Sequence, residues 1–579
     1  MVKAKPWHKF YSGVPESIDY PQVTMYESVM RTVKRVPDKI AWDFLGTHCT
    51  YKDFAAQISQ CADALAQLGL KKGDTITISM PTSPQGIICF YAANKLGAIA
   101  SMIHPLSTEP EIEFYLNISK STMALTIDAF YNKFNNVMNR TECKTLILAK
   151  IGDYLSPIKR FGFWLTKGRK IPAVPVNDKR VIWFKDIMST QYPRAEKADM
   201  DTDDTAVILY SGGTTGKPKG IMLSNMNFIS QGTMVAKWGN LDENDAILAI
   251  LPIFHGFGLG VCVNAAFMGG GKSILVPQFT PEIVAKLIKT KKPNFLIGVP
   301  TLYAALNKNK DFKNADLSCI KAAFCGADTL PNVVKKEFEK IVKDRGGNVK
   351  LLEGYGLTEA VTAIMAMPLN HFRQNSIGIP FPDMDAKIVK GNTISEAAMG
   401  EDGEICLHGP AVMKGYLDNQ KETDETIKLH EDGKKWLHTG DIAYQDSDGF
   451  FYFKLRQKRL IKSSGMNVYP THVEEILYAI PDIAEACVIG VPDKDQIEKV
   501  MAFVVLKPGV EPSKNKEKEI ITICREKLIK WNCPRKIEFR EELPTTLVGK
   551  IAFKVLQDQE LEKLRAKGEY TGDKLICRN

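Results

Sequence analysis

The segment Tyr210 to Lys219 (Tyr-Ser-Gly-Gly-Thr-Thr-Gly-Lys-Pro-Lys) has the composition of an anion cradle. Gly212 and Gly213 let the backbone approach phosphate oxygens. The hydroxyls of Ser211, Thr214 and Thr215 donate hydrogen bonds, and Lys219 supplies charge. It is not a Walker A loop: Gly212 to Gly216-Lys217 is one residue short, and Pro218 stands where a magnesium-binding hydroxyl is needed. Nor does Gly256-Phe-Gly-Leu-Gly260 satisfy the dinucleotide pattern, since Val261 replaces the third glycine. A solvent-facing turn can share the loop's composition, so its meaning depends on what the rest of the chain brings to it.

The elements that must hold such a loop are legible around it. Thr205–Tyr210 reads as a buried strand feeding the loop, and Ala246–Leu251 as another. Phe54–Leu70 has apolar residues at helical spacing, Asp74–Met80 reads as a strand, and Pro84–Leu96 as the next helix. The alternation continues through a helix Pro281–Thr290, a strand Asn294–Gly298, a helix from Thr301 and a strand Lys321–Phe324. This predicts an α/β protein with mainly parallel sheets layered with helices. From about 386 to 455 the pattern changes to β runs with Gly and Asp turns, a β-rich subdomain. After Leu455 the chain turns basic, then gives helix, strand, strand and helix to about Leu556. Residues 1–455 are expected to form the large N-terminal domain, and 456–579 a small mobile α+β domain with its hinge near 456–459.

Composition limits the alternatives. With 579 residues the chain exceeds one hydrophobic core. Its 44% hydrophobic and 25% charged residues exclude disordered and fibrous classes. The net charge of +9 is mild for this length and not confined to a tail, which disfavours nucleic-acid binding. Twelve cysteines without a C-x-x-C pair argue for reduced thiols in a cytoplasmic protein, and against a zinc site or disulfide framework. The N-terminus lacks the apolar core of a signal peptide. Residues 246–271 carry no charge, yet Pro252, His255, Asn264 and several glycines make them a buried strand, loop and helix rather than a span. Tyr154–Lys170 mixes Leu, Ile, Phe and Trp with Lys and Arg, which suits either a membrane-surface element or a solvated insertion.

Further motifs follow in order: Leu352–Ala360 (Leu-Glu-Gly-Tyr-Gly-Leu-Thr-Glu-Ala), Thr439-Gly-Asp441, Arg456 and Gly549-Lys550. Together with the loop they resemble the adenylate-forming superfamily of acyl-CoA synthetases, peptide-synthetase adenylation domains and luciferases, and are most similar to medium- and long-chain fatty acid:CoA ligases. The resemblance runs from about Thr24 to Leu556. It implies ATP, Mg2+ and CoA as cofactor and co-substrates, and a small carboxylic acid as substrate. Ser211–Lys219 would be the phosphate loop. Gly354, Tyr355 and Gly356 would border the nucleotide, Thr358 would contact the α-phosphate, and Glu359 would hold Mg2+. Asp441 and Arg456 would bind the ribose, Lys458 would be the hinge, and Lys550 would assist adenylation. Gly326 and Ala327 would lie between adenine and substrate. Gly465, in Lys462–Asn467, would let pantetheine pass in the second half-reaction.

The chemistry accounts for these residue types. A carboxylate attacking the α-phosphorus of ATP brings two anions together, so cations and positioning are required and a general base is not. Several positions depart from the family pattern: Leu455 and Arg459 replace acidic residues beside the hinge, His472 a glutamate, and Val548 a hydroxyl residue. They bear on domain rotation and CoA handling more than on adenylation. His255, isolated in the apolar run Leu251–Gly260, would by family position gate the acyl pocket or contact the carboxylate. Gly256, Gly258 and Gly260, with Phe267 and Met268, are expected to leave room for an apolar chain. No charged residue is reserved for an amino-acid substrate. A medium- or long-chain fatty acid is expected, with an aryl or bile-type acid, a carrier-protein acceptor, or a non-catalytic binding relative as alternatives.

Overall fold

Runs without polar alternation become strands covered on both faces, as a parallel sheet requires. The computed structural model describes residues 5–166, 168–175, 177–211, 218–391, 393–456, 459–463, 466–493, 497–546, 550–567, 570–571 and 574–575. Two large sheets have a parallel centre, flanked by antiparallel strands on one side in the first and on both sides in the second. In the eight-stranded sheet Thr205–Ser211, Ile99–Met102, Thr75–Ser79, Ser121–Ile127, Thr145–Ala149 and Val181–Trp183 run parallel in that spatial order. Lys219–Ser224 folds back antiparallel on Thr205–Ser211, pairing Ser211 with Lys219.

The nine-stranded sheet has Leu351–Gly356, Ala322–Cys325, Phe295–Gly298, Ala246–Ala249, Lys272–Leu275 and Ile40–Phe44 at its parallel centre. Helices fill the space between the sheets; Pro84–Lys95 is buried along its whole length. The antiparallel edges refine the expectation of mainly parallel sheets. Most come from hairpins too short to hold a crossover helix, while Gly415–Tyr416 reaches Lys219–Ser224 from far along the chain.

A five-stranded antiparallel sheet follows, built from Asp385–Val389, Gly403–His408, Ile427–Leu429, Lys435–Gln445 and Phe451–Arg456. The main hydrophobic core extends into it as far as Phe451, and a separate core begins at Ile461. This last unit packs helices Pro470–Tyr478, Lys514–Lys527 and Phe553–Ala566 on a sheet that includes Ile483–Asp493 and Ile497–Leu506. The sequence pattern misses its short strands Ile461–Ser463, Met466–Val468 and Lys536–Phe539. Each is too short to show a period.

Residues 246–271 form the strand Ala246–Ala249, a π-helical stretch Phe257–Asn264 and the helix Ala265–Gly269, all buried in the interior as expected. Among the described residues no helix is long and apolar enough to cross a membrane. The eleven described cysteines are free.

Candidate active site

The C-terminal ends of the central strands converge on the sequence-predicted residues. At the end of Leu351–Gly356 the chain makes a tight turn, Thr358–Ala360, and Val361 takes φ +63°. Gly356 is required there, since a Cβ would lie 1.7 Å from the Thr362 carbonyl oxygen. Thr358 is buried, and the Glu359 carboxylate accepts a hydrogen bond from the Tyr416 hydroxyl at 3.0 Å. The Met413 amide donates to the Glu359 carbonyl at 2.8 Å, fixing the turn against the β-rich region.

The stem of the phosphate loop reaches the same cluster. Lys219 pairs with Glu422, and its ammonium stands 5.0 Å from the Tyr416 ring centroid. Tyr210, at the other side of the stem, shares a 2.9 Å hydrogen bond with Ser101. Ser211 is half-buried opposite Lys219. Gly212, Gly213, Thr214 and Thr215 lie outside the described residues, as do Lys458, Gly465 and Val548.

Asp441 forms the second focus. It is 2% exposed, sits opposite Arg456 in the antiparallel register, and accepts from the Tyr355 hydroxyl at 2.7 Å through Oδ2. Oδ1 lies 3.0 Å from Arg456 Nε but off the line of a hydrogen bond, leaving this buried oxygen without a hydrogen-bond donor. Burial raises the Asp441 pKa, with Arg456 opposing. A buried acceptor with unused lone pairs fits a ribose diol, so the residues present fit a nucleoside. Gly326 and Ala327 follow the strand Ala322–Cys325. Ala327 adopts φ +75°, and a Cβ on Gly326 would approach the Gly354 carbonyl and the Phe257 ring to 3.2 and 3.3 Å.

Lys550 comes from the C-terminal unit into this space. Burial lowers its pKa, with Asp328 opposing and Arg456 and Asp441 also within electrostatic reach. His255 is within electrostatic reach of it: burial first, then Lys550, pushes the imidazole down to about 4, so it is neutral at physiological pH. Its Nδ1 accepts from the Phe257 amide at 3.1 Å. Lys550, His255, Asp441 and Arg456 therefore share one site, although Lys550 lies far from the others in sequence.

The glycines near His255 do not open a channel. A Cβ on Gly256 would lie 1.8 Å from the Val361 carbonyl oxygen, one on Gly258 2.2 Å from that of Pro252, and one on Gly260 2.8 Å from Gln231 Oε1. Phe267 is buried against Tyr51, Phe54 and Tyr91. Close packing of the π-helical stretch against the Thr358–Glu359 turn, rather than room for an acyl chain, explains these glycines. Sequence reasoning also missed Tyr416, Glu422 and Asp328. Only Asp328 had a signal, its position beside Gly326-Ala327.

Of the departures, Leu455 is fully buried at the end of the β-rich sheet. Arg459 is anchored in the C-terminal unit, bonded to Glu474 at 2.6 Å and packed on Phe553 at 4.9 Å. Glu474, two residues beyond His472, supplies the acidic partner.

Residues 29–417 match the AMP-binding enzyme family and residues 472–550 the AMP-binding enzyme C-terminal domain. The chain is 36% identical to a long-chain-fatty-acid–CoA ligase of Bacillus subtilis (strain 168), covering 98% of this chain and 100% of that protein. It is 33% identical to the corresponding ligase of Escherichia coli O157:H7, over 97% of this chain and 100% of the relative. Its fold matches an anthranilate CoA ligase solved with anthranoyl-AMP at TM-score 0.82 and 25% identity, over 96% and 99% of the two chains. The chain belongs to the AMP-binding enzyme family. The resemblance to adenylate-forming enzymes and the α/β class read from sequence are borne out.

Proposed function

We propose that this chain is an ATP-dependent acid:CoA ligase that turns a medium- or long-chain fatty acid into its acyl-adenylate, releasing pyrophosphate, and then into acyl-CoA, releasing AMP. The observation that carries the reading is the meeting of Lys550 with Asp441 and His255 across two folded units. The chain length follows from the full-length kinship with ligases named for long-chain fatty acids.

Asp441 and Arg456 hold the ribose, and Gly326 and Ala327 flank the base. Ser211, Lys219 and the loop between them receive the phosphates. Thr358 faces the α-phosphate, and the acidic oxygens of Glu359 suit a hard cation. Mg2+ held by Glu359 would neutralise phosphate charge. Lys550 adds a cation at the point where the carboxylate and the α-phosphate meet. A partly desolvated ammonium acts there with little screening. Neutral His255 borders the acyl side without adding charge. The carboxylate is already ionised and attacks directly, so the step calls for no general base.

Thiolysis calls for a different contact set. We assign residues 456–459 as the hinge, because one hydrophobic core ends at Phe451 and Phe453 and the next begins at Ile461. Rotation there withdraws Lys550 and presents the Lys462–Asn467 face. A lipid-facing element fits the substrate. Helix Pro157–Thr166 exposes Ile158, Phe161, Trp164 and Leu165, with Ile158 86% exposed, beside Lys159, Arg160, Arg169 and Lys170. We propose that it rests on an anionic membrane surface from which the acid is drawn.

The deciding experiment is Lys550→Ala. ATP/pyrophosphate exchange should be lost while thioester formation from supplied acyl-AMP is largely spared. Wild-type exchange in that variant would remove Lys550 from the reaction. A panel of C2 to C18, aromatic and steroid acids, read by pyrophosphate release, tests the acid.

A further inference from the structure

Among the described residues one group of metal-ligating side chains comes together, and it lies outside the chemistry above. Cys406 on Gly403–His408, His430 just after Ile427–Leu429, and His438 on Lys435–Gln445 bring one donor atom each to within 4.8 Å of one another. All three residues are buried. Their sequence spacing gives no metal motif. Three antiparallel strands assemble the group.

The two imidazoles face one another through their Nε2 atoms. His438 Nδ1 lies 2.7 Å from Glu404 Oε2, so that nitrogen carries the proton and Nε2 presents a lone pair. His430 Nε2 lies 2.9 Å from that lone pair. If His430 Nε2 carries a proton, it donates to His438, and Nδ1 of His430 is left as an acceptor. That Nδ1 is buried with no partner. If Nδ1 carries the proton, two lone pairs face each other. A cation between the two Nε2 atoms takes up both lone pairs of the second arrangement, the His430 proton staying on Nδ1.

We infer that Cys406, His430 and His438 form a binding site for a thiophilic divalent transition metal of the Zn2+ class. A thiolate and two imidazoles are the donor set such ions prefer. Tetrahedral zinc places its donors about 3.3–3.6 Å apart. The imidazoles therefore separate by a few tenths of an ångström, and the sulfur draws in. Binding forms one metal–sulfur bond, and the Cys406 thiol proton leaves to solvent. The thiolate and the Glu404 carboxylate together balance a dication. Two ammoniums, Lys387 and Lys428, are within electrostatic reach, and Lys387 is turned onto the Trp436 ring at 4.1 Å and towards Asp432. Glu404 fixes the His438 tautomer, as carboxylates behind metal-bound histidines do. Its other oxygen accepts from the Gly440 amide at 2.8 Å. Gly440 precedes Asp441, so the site braces the strand that carries the buried carboxylate. This inference does not depend on the substrate proposed above.

The test is a Co2+ titration of the full-length, chelator-stripped protein. One equivalent should produce a thiolate-to-cobalt charge-transfer band with tetrahedral visible absorption, and Zn2+ should abolish it. Native mass spectrometry should show one bound zinc. In Cys406→Ser and in His430→Gln the band should fall to baseline. The inference is overturned if the wild type gives no thiolate band, or if the band survives in either variant. The wild-type titration decides alone if a variant fails to fold.

Discussion

Tyr355 donates a 2.7 Å hydrogen bond to Asp441, joining the last parallel strand of the nine-stranded sheet to the antiparallel sheet that follows it. The bond fixes one carboxylate oxygen, and the other lies 3.0 Å from Arg456 Nε. Two sheets that share one hydrophobic core thus meet at the group assigned to the ribose. A shift between them would register first as a loss of ATP affinity.

Asp441→Asn separates binding from stability. In the folded chain burial raises the Asp441 pKa above its unfolded value despite Arg456, so the native state holds the proton more tightly. Stability from this group is greatest below the unfolded pKa and declines as pH rises through the folded one. At neutral pH the charged carboxylate is therefore a net liability, and the neutral amide removes it. The melting temperature of the variant should exceed that of wild type at pH 7, with the gap closing in acid. The KM for ATP should rise about 10–100-fold, the worth of hydrogen bonds to a charged group. A lower melting temperature at pH 7 with unchanged KM would contradict both halves.

Lys550 is expected to set the alkaline limit of adenylation. Burial lowers its pKa from the ordinary lysine value near 10.4. The ammonium is present below the lowered pKa and lost as pH rises through it. The alkaline limb of kcat/KM for ATP in the exchange reaction should therefore fall below the ordinary lysine range. His255, held down to about 4, should add no inflection between pH 5 and 8. In Lys550→Arg the guanidinium stays charged, so the limb should move up or vanish. Turnover should drop roughly 10–100-fold because the fork and the compact ammonium differ in shape. An alkaline limb unchanged in Lys550→Arg would assign it to another group.

The legibility of this chain in its sequence divides along physical lines. Strands such as Thr205–Ser211 and Phe295–Gly298 are readable because both faces are covered, leaving uninterrupted apolar runs. Asp441, Arg456, Glu359 and Lys550 are readable because their residue types recur in a fixed order. Tyr416 and Glu422 are not, because a hydroxyl on Glu359 and a carboxylate on Lys219 act through space and leave no local pattern. The glycines of Leu251–Gly260 show the opposite error. Their presence was visible, but only the carbonyls of Val361 and Pro252 show that they admit backbone rather than substrate. Cys406, His430 and His438 were hidden because strand pairing, not spacing, brings them together.

Helix Pro157–Thr166 provides the last prediction. Ile158, Phe161 and Leu165 recur at three- and four-residue steps, so they line one face, with Trp164 beside them. Arg169 stacks over Trp164 at 4.6 Å, and Lys159 reaches back to the Leu45 carbonyl. Four exposed large apolar side chains next to a basic cluster are costly in water and favourable at a headgroup boundary. Sedimentation with vesicles containing phosphatidylserine at low salt should retain the wild type. Raising the salt should release part of it, because the basic residues contribute about 1 kcal/mol each only within the screening length. Phe161→Ser with Trp164→Ser should reduce retention at least tenfold. The same double variant should leave activity on a short, soluble acid unchanged, since the helix contacts none of Glu359, Asp441 or Lys550. Its activity on vesicle-borne long-chain acid should fall. Equal retention of wild type and double variant, or an equal loss on both acids, would show that this face does not deliver substrate.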